Sequence, residues 1–375
     1  MTEYINGPTN FAHLQGSIDS IDKNIYFFMD SHYDLDNQTR CESFNSIDIS
    51  QYLYKIIKET KKPLDFFMEI RTSNINTIVT NKRDIYIKDV ISLFKTEFII
   101  KKKEDNIDIM CSKNNKNVRL HYLDIRDHLE LFDVLNIIED ELEKNIELFI
   151  NNLNNNENKD KYIQNILNNI ESIKTKIEII INNKNEVMQN ILNDYEKTKK
   201  TQKYYLNKII NIYENQNLKK NINEFINNYY DEIISNLYPG LGKLEGYIKN
   251  FNIINKKKIY KLINFINGLI TDLYSLFTDV FLLRRILDKN YVKKCIVYSG
   301  SQHSINCIFF LIKYYDFKII KIHDSTEKDI NKLTEQIYNA GNVFDTYKLF
   351  NVKEKNIQCI NYEIIHDGGN RILYD

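Results

Sequence analysis

Four groups of ionisable residues follow or close short apolar runs, and their types would suit metal-assisted hydrolysis. Asp30-Ser31-His32-Tyr33-Asp34 follows Ile25 to Met29, and Glu69-Ile70-Arg71 closes the run from Leu64. Asp124-Ile125-Arg126-Asp127-His128 follows Val118 to Leu123, and Gly300-Ser301-Gln302-His303 follows Lys294 to Tyr298. Apolar runs of this length read as buried strands. Open parallel sheets bind ligands outside the carboxyl ends of their strands, so parallel neighbours would bring the four groups to one crevice. Asp30, His32 and His303 are the candidate ligands of a divalent ion such as zinc, manganese or cobalt, with a position left for water. The ion would lower the pKa of that water toward neutrality. Glu69 and His303 are the candidate ligands or bases, and Arg126, or Arg71, would hold an oxyanion or an anionic substrate. Each group also has a plainer reading: a helix cap, a turn or a surface ion pair. His13, His121, His323 and His366 lack comparable surroundings and read as structural.

The elements that must position these groups come from both ends of the chain. Ala12 to Ile18 pairs with Ile25 to Met29 as a hairpin. Ser46 is placed to cap a helix whose apolar face is Ile49, Tyr52, Leu53, Ile56 and Ile57. Ile85 to Ile100 gives a helix or a helix and strand. From Leu131 to about Asn290 the apolar residues recur at spacings of three and four. One stripe runs from Leu131 to Leu153 and a second from Ile163 to Ile180. A third joins Leu218, Ile222, Phe225, Tyr229 and Ile233, and a fourth runs from Ile259 to Val280. Tyr238-Pro239-Gly240-Leu241-Gly242 reads as a turn between helices. After Asn290 a strand, a helix (Ser304 to Tyr315) and a strand (Phe317 to Ile322) follow. The expected fold is therefore α/β. Residues 1–130 and 291–375 build one mostly parallel sheet, and 131–290 form a helical insertion outside it.

Composition narrows the classes. Lys and Arg number 51, as do Asp and Glu, so no global field draws the chain to nucleic acid or an anionic membrane. The segment Ile259 to Ile286 is apolar, but Lys261, Asp272, Asp279 and Arg284 argue for a buried helix and against a membrane span. The N-terminus does not read as a signal peptide. The five cysteines include no C-x-x-C pair, which argues against a disulfide framework and for a reducing compartment. No P-loop, dinucleotide fingerprint, nucleophile elbow or kinase motif occurs.

Several runs carry resemblances. Ile5-Asn6-Gly7-Pro8, the segment Tyr26 to Asp34, Gln38-Thr39-Arg40-Cys41, Asp65 to Ile70 and Tyr298 to Asn306 resemble a family of uncharacterised proteins of mimivirus-type giant DNA viruses. That resemblance covers the two ends well, supplies no activity, and implies a place in the infected cell's cytoplasm or the virion. The order of Asp30-Ser31-His32, Glu69, Arg126 and Gly300-Ser301-Gln302-His303 also resembles the TraB/ChaN/erythromycin-esterase-like superfamily. It implies a metal-dependent protease or esterase; Met29 departs from the glycine of that first motif, which implies an altered ligand set or lost activity. Asp30 to Asp34 is similar to a metal motif of arginase-like ureohydrolases, whose downstream D-x-D-x-x-D is absent. Two readings follow: a metal-assisted hydrolase or its descendant, and a non-enzymatic viral protein whose helical block serves self-association or a protein partner.

Overall fold

Asp19 and Ser20 reverse the chain with φ of 48° and 65°, the geometry a two-residue hairpin demands. The computed structural model describes residues 4–31, 39–71, 85–99, 102–103, 106–107, 110–124, 140–141, 144–148, 160–175, 215–250, 256–350, 357–361 and 365. In chain order its strands are β1 (Tyr4–Asn6), β2 (Asn10–Ile18), β3 (Ile21–Asp30), β4 (Ser46–Asp48), β5 (Leu64–Arg71), β6 (Phe98–Ile99), β7 (Lys102–Lys103), β8 (Asn106–Ile107), β9 (Met110–Ser112), β10 (Val118–Asp124), β11 (Lys294–Gly300), β12 (Lys318–Ile322) and β13 (Cys359–Asn361). Its main helices are α1 (Ile49–Glu59), α2 (Ile85–Glu97), α3 (Gln216–Lys249), α4 (Lys256–Leu287), α5 (Ser301–Tyr315), α6 (Ile330–Asn339) and α7 (Val343–Tyr347).

The main sheet has eight strands in the order β12-β2-β3-β11-β5-β10-β9-β6. Its centre, β3-β11-β5-β10, is parallel, as expected for strands drawn from both ends of the chain. The flanking pairs on each side are antiparallel, so the sheet as a whole is mixed. Buried residues alternate between its faces with the period of two that a strand imposes. Phe27, Met29, Phe67, Cys295 and Val297 join one core with α3 to α6 and the helical stretch 160–175. Tyr26, Phe28, Phe66, Met68, Ile296 and Tyr298 join the other with α1 and α2.

Most of the described stripe residues are buried, with Ile163 and Leu262 half-buried. Leu218, Ile222, Phe225, Tyr229 and Ile233 line the inner face of α3, and Ile259, Ile266, Leu269, Leu273 and Val280 that of α4. Most of the stripe from Leu131 to Leu153, together with Ile177 and Ile180, lies outside the described residues. By length and composition α4 could cross a membrane, yet 81% of its apolar window is buried inside the fold.

Three local expectations are corrected. The predicted turn at Tyr238 to Gly242 lies inside α3, which continues through Pro239. Leu237, Gly240, Leu241 and Leu244 are all buried there, so packing outweighs the breaker. Ser46 is in β4 and does not cap α1, whose N-cap is Asp48. Cys41 and Cys359 form a disulfide with Cα atoms 5.0 Å apart, where the sequence argued against a disulfide framework. Their 318-residue separation hid the pairing. The bond sits beside the small sheet β13-β1-β4, in which Asn6 is opposite Cys359.

Gly7, just after β1, has φ of +121°, a region only glycine enters readily. A methyl group there would also approach Ile49 Cγ2 to 2.8 Å. We expect Gly7→Ala to lower unfolding free energy by about 1–3 kcal/mol in a denaturant titration. An unchanged midpoint would contradict this backbone assignment.

Candidate functional site

The central strands deliver charged residues to one edge of the sheet, and helix α5 starts there without a loop. Gly300 ends β11 and is the N-cap of α5, so His303 falls in the helix's first turn. That position is the positive end of a helix dipole and disfavours a cation. Glu69, near the end of β5, offsets this. One of its carboxylate oxygens accepts the Gly300 N–H at 2.8 Å, and the other lies 3.2 Å from His303 Nε2. On the far side of the ring, Asp279 of α4 sits 2.5 Å from His303 Nδ1. The second oxygen of Asp279 accepts the Asn306 amide at 2.6 Å. The same amide donates to the Tyr229 hydroxyl at 3.2 Å, and Tyr347 donates to Asn306 Oδ1 at 2.6 Å. Residues of β5, α3, α4, α5 and α7 are thus tied into one buried polar chain.

Burial by itself would lower the pKa of His303. The Glu69 and Asp279 carboxylates outweigh it and push the imidazole up to about 10. Burial raises the carboxyl of Asp279, opposed by His303 and the Asn306 amide; we place the proton on the imidazole, which faces a carboxylate on each side. Asp272, two turns earlier on α4, is pushed up to about 8, by burial first and then by the charge of Asp279. It is therefore held neutral at pH 7.

The sequence-predicted residues separate into three groups. Glu69 and His303 meet as expected. Asp30 is buried nearby, its carboxylate accepting the Tyr298 hydroxyl at 2.8 Å and the Ser31 N–H at 2.7 Å. Its carbonyl accepts the Ser301 hydroxyl at 2.9 Å, and Thr9 joins Ser31 and Ser301 in a small hydroxyl cluster. His32 and Arg126 lie outside the described residues, as do Asp127 and His128. Among the described residues no group of three or more His, Cys, Asp or Glu is arranged to hold a metal ion. At His303 the two carboxylates lie on opposite sides of the ring, Asp279 at Nδ1 and Glu69 at Nε2, so the three groups do not converge on one point. Asp279, Asn306, Tyr229 and Tyr347 were not foreseen. The signal for Asp279 was its place in a strongly apolar helical stripe, where a carboxylate needs a buried partner.

A second polar chain occupies the opposite end of the same strands. Asp65 takes a two-pronged bond from Arg119, at 2.8 and 2.7 Å, and a third bond from His121 Nε2 at 2.7 Å. Arg285 of α4 donates to His121 Nδ1 at 2.8 Å, which fixes the ring proton on Nε2. Burial, helped by Arg285 and opposed by Asp65, lowers His121 to about 4. This ring is neutral and bound on both sides, by Asp65 and Arg285.

With the geometry described, the comparisons define the family. A model of a family of unknown function, DUF5847, matches residues 3–259 and 247–364, and the chain belongs to that family. Uncharacterized protein R161 of Acanthamoeba polyphaga mimivirus is 30% identical over 90% of this chain and 94% of its own. Uncharacterized protein R706 of the same virus is 28% identical over 89% of each chain. Uncharacterized protein R129 is 39% identical over 34% of this chain and 76% of its own. No solved structure matches the chain. These matches support the giant-virus resemblance and lend nothing to the TraB/ChaN/erythromycin-esterase one.

His303 and Asp272 both make stability fall as pH rises. A histidine raised to about 10 contributes fully below its ordinary 6.5, and that share is lost as pH climbs through 10. An aspartic acid raised to about 8 has the same sign, with its share lost between 3.8 and 8. The melting temperature should fall from pH 6 to pH 10, and Asp272→Asn should flatten the slope below pH 8. His303→Ala, which strands two buried carboxylates, should cost about 3–5 kcal/mol at neutral pH. A neutral-pH melt indistinguishable from wild type would remove the clamp assignment.

Proposed function

We propose that this chain is a non-enzymatic binding protein of a giant DNA virus, its binding surface lying where α3 meets the C-terminal helices. One observation carries the reading. A cavity of about 240 Å³ opens between α3, α5 and the start of α7, lined by Phe225, Tyr229, Tyr314 and Phe344 with Glu224 and Glu232. Its walls mix these rings with the polar side chains of Asn228, Lys313 and Asn342, and concave sites are where ligands bind. The state of the strand-end charges supports the same choice. His303 has both ring nitrogens committed and a pKa too high for a general base near neutrality.

The test sets binding against hydrolysis on the purified full chain. A ligand-detected NMR fragment screen should give hits that disappear in Asn228→Trp, a substitution at an exposed α3 position that fills the cavity mouth. Metal analysis beside ester and peptide hydrolysis assays covers the other reading. Stoichiometric zinc, manganese or cobalt, with turnover abolished by Glu69→Gln and untouched by Asn228→Trp, would replace the binding reading with the metal-dependent hydrolase.

A further inference from the structure

We propose that Cys41 and Cys359 form a redox latch: thiol–disulfide exchange at this pair decides whether residues 357–361 dock on β1. The inference is independent of the cavity. The other holds on that segment are local. Strand β13 is three residues long and pairs with β1 through those three residues, too short a ladder to persist alone. Gln358, fully buried, adds hydrogen bonds. Its carbonyl accepts the Gly7 N–H at 3.0 Å, its N–H donates to Thr39 Oγ1 at 2.7 Å, and its side-chain oxygen accepts the Thr39 N–H at 3.1 Å. Such bonds add little net stability, because water replaces them on release. Among the described residues from 357 onward, Ile360 and Ile365 are the side chains that reach the apolar core. The disulfide keeps the segment at high effective concentration beside its dock.

The two sides of the bond are held differently. The Cys41 N–H donates to Asn6 Oδ1 at 2.8 Å, and the Tyr86 hydroxyl donates to the Thr39 carbonyl at 2.9 Å. The loop carrying Cys41 is thus fixed to β1 and α2 without the disulfide, and the C-terminal segment is the part that lets go. Both cysteines are half-buried, within reach of a small thiol, and accessible disulfides are the labile ones. Cys295 and Cys307 are fully buried, and burial pushes their thiols up, so neither competes as a partner. Opening runs by exchange with a low-molecular-weight thiol such as glutathione. A thiolate attacks one sulfur, the S–S bond breaks, and the other cysteine leaves as a thiolate. A second thiolate attacks the mixed disulfide, freeing the remaining cysteine and an oxidised thiol dimer. Two electrons pass to the protein, and the two thiol protons end on Cys41 and Cys359. A thiol-rich compartment therefore holds the segment released, and an oxidising one holds it docked.

Hydrogen exchange read by mass spectrometry tests this on the full chain in glutathione buffers, with the oxidised fraction counted by alkylation. The pair should pass between dithiol and disulfide as the ratio of reduced to oxidised glutathione is varied. Reduction should speed exchange at residues 4–7 and 357–361 about tenfold, with β3 and β11 unchanged. Cys41→Ser combined with Cys359→Ser should show the fast exchange in every buffer. Wild type reduced with dithiothreitol gives the same readout with no substitution. Three results overturn the latch. A bond that glutathione leaves intact in the folded chain is a permanent staple. Exchange at residues 357–361 that ignores the oxidation state means that the segment docks without the bond. Reduction that loosens β3 and β11 as much as residues 357–361 makes the bond a global cross-link.

Discussion

His303 is a cation held inside the protein, and the demands of holding it there shape everything around it. An imidazolium in the first turn of a helix faces that helix's positive end, and burial strips it of water. Glu69 and Asp279 supply the compensation from opposite sides of the ring. Two carboxylates and one imidazolium still leave a buried net negative charge. The Gly300 N–H and the Asn306 amide, each donating to a carboxylate, absorb part of it. Asp272 is pushed up to about 8, by its burial first and then by the charge of Asp279. The clamp therefore fixes β5, the β11–α5 junction and α4 relative to each other. Apolar packing between α4 and the sheet would not by itself choose one register so sharply, because dispersion and burial are non-directional.

The opposite end of the strands reaches the same mechanical result with inverted chemistry. There, one carboxylate, Asp65, meets the Arg119 guanidinium and His121, and Arg285 approaches the far side of the ring. A histidine beside two guanidinium groups stays neutral, whereas one between two carboxylates stays charged. Helix α4 contributes to both sites, through Asp279 and Arg285. Six residues at 1.5 Å each place these anchors about 9 Å apart along its axis. A helix pinned at two points near its end can neither slide nor rotate against the sheet. That accounts for a long, apolar helix packing in a single position.

Much of the sheet was legible because strand periodicity and length are local properties. The runs at Ile25, Phe66, Leu120 and Val297 are the four parallel neighbours at its centre. Glu69 and His303 were legible as a pair once strands were assumed to end on one edge. The partners that determine their chemistry were not. Asp279 is 210 residues from Glu69 in sequence, and its side chain's destination depends on how α4 crosses the sheet, a tertiary fact. The same ionisable residue types serve a buried clamp or a hydrolytic site, and Asp279, the third partner beside His303, was not legible among them. Cys41 and Cys359 were unreadable for the same reason, since nothing local links them. Pro239 misled in the other direction. A local breaker signal met a helix whose buried face continues on both sides, and burial of Leu237 and Leu241 decided the outcome.

Tyr229 joins the clamp to the cavity. Its ring forms part of the cavity wall against Phe344, while its hydroxyl takes a bond from Asn306, which in turn is fixed by Asp279 and Tyr347. A binding site whose walls are already ordered forfeits less entropy on association than one that must close around its ligand. On the binding reading proposed above, part of that order comes from the polar chain that holds Tyr229. The buried ions need not do chemistry to matter for function. By holding α3, α5 and α7 in one arrangement, they keep an aromatic wall in place where all three helices contribute to the polar chain. The cost of burying an imidazolium and two carboxylates then has a return beyond stability: a preformed cavity at the joint between the helical block and the sheet.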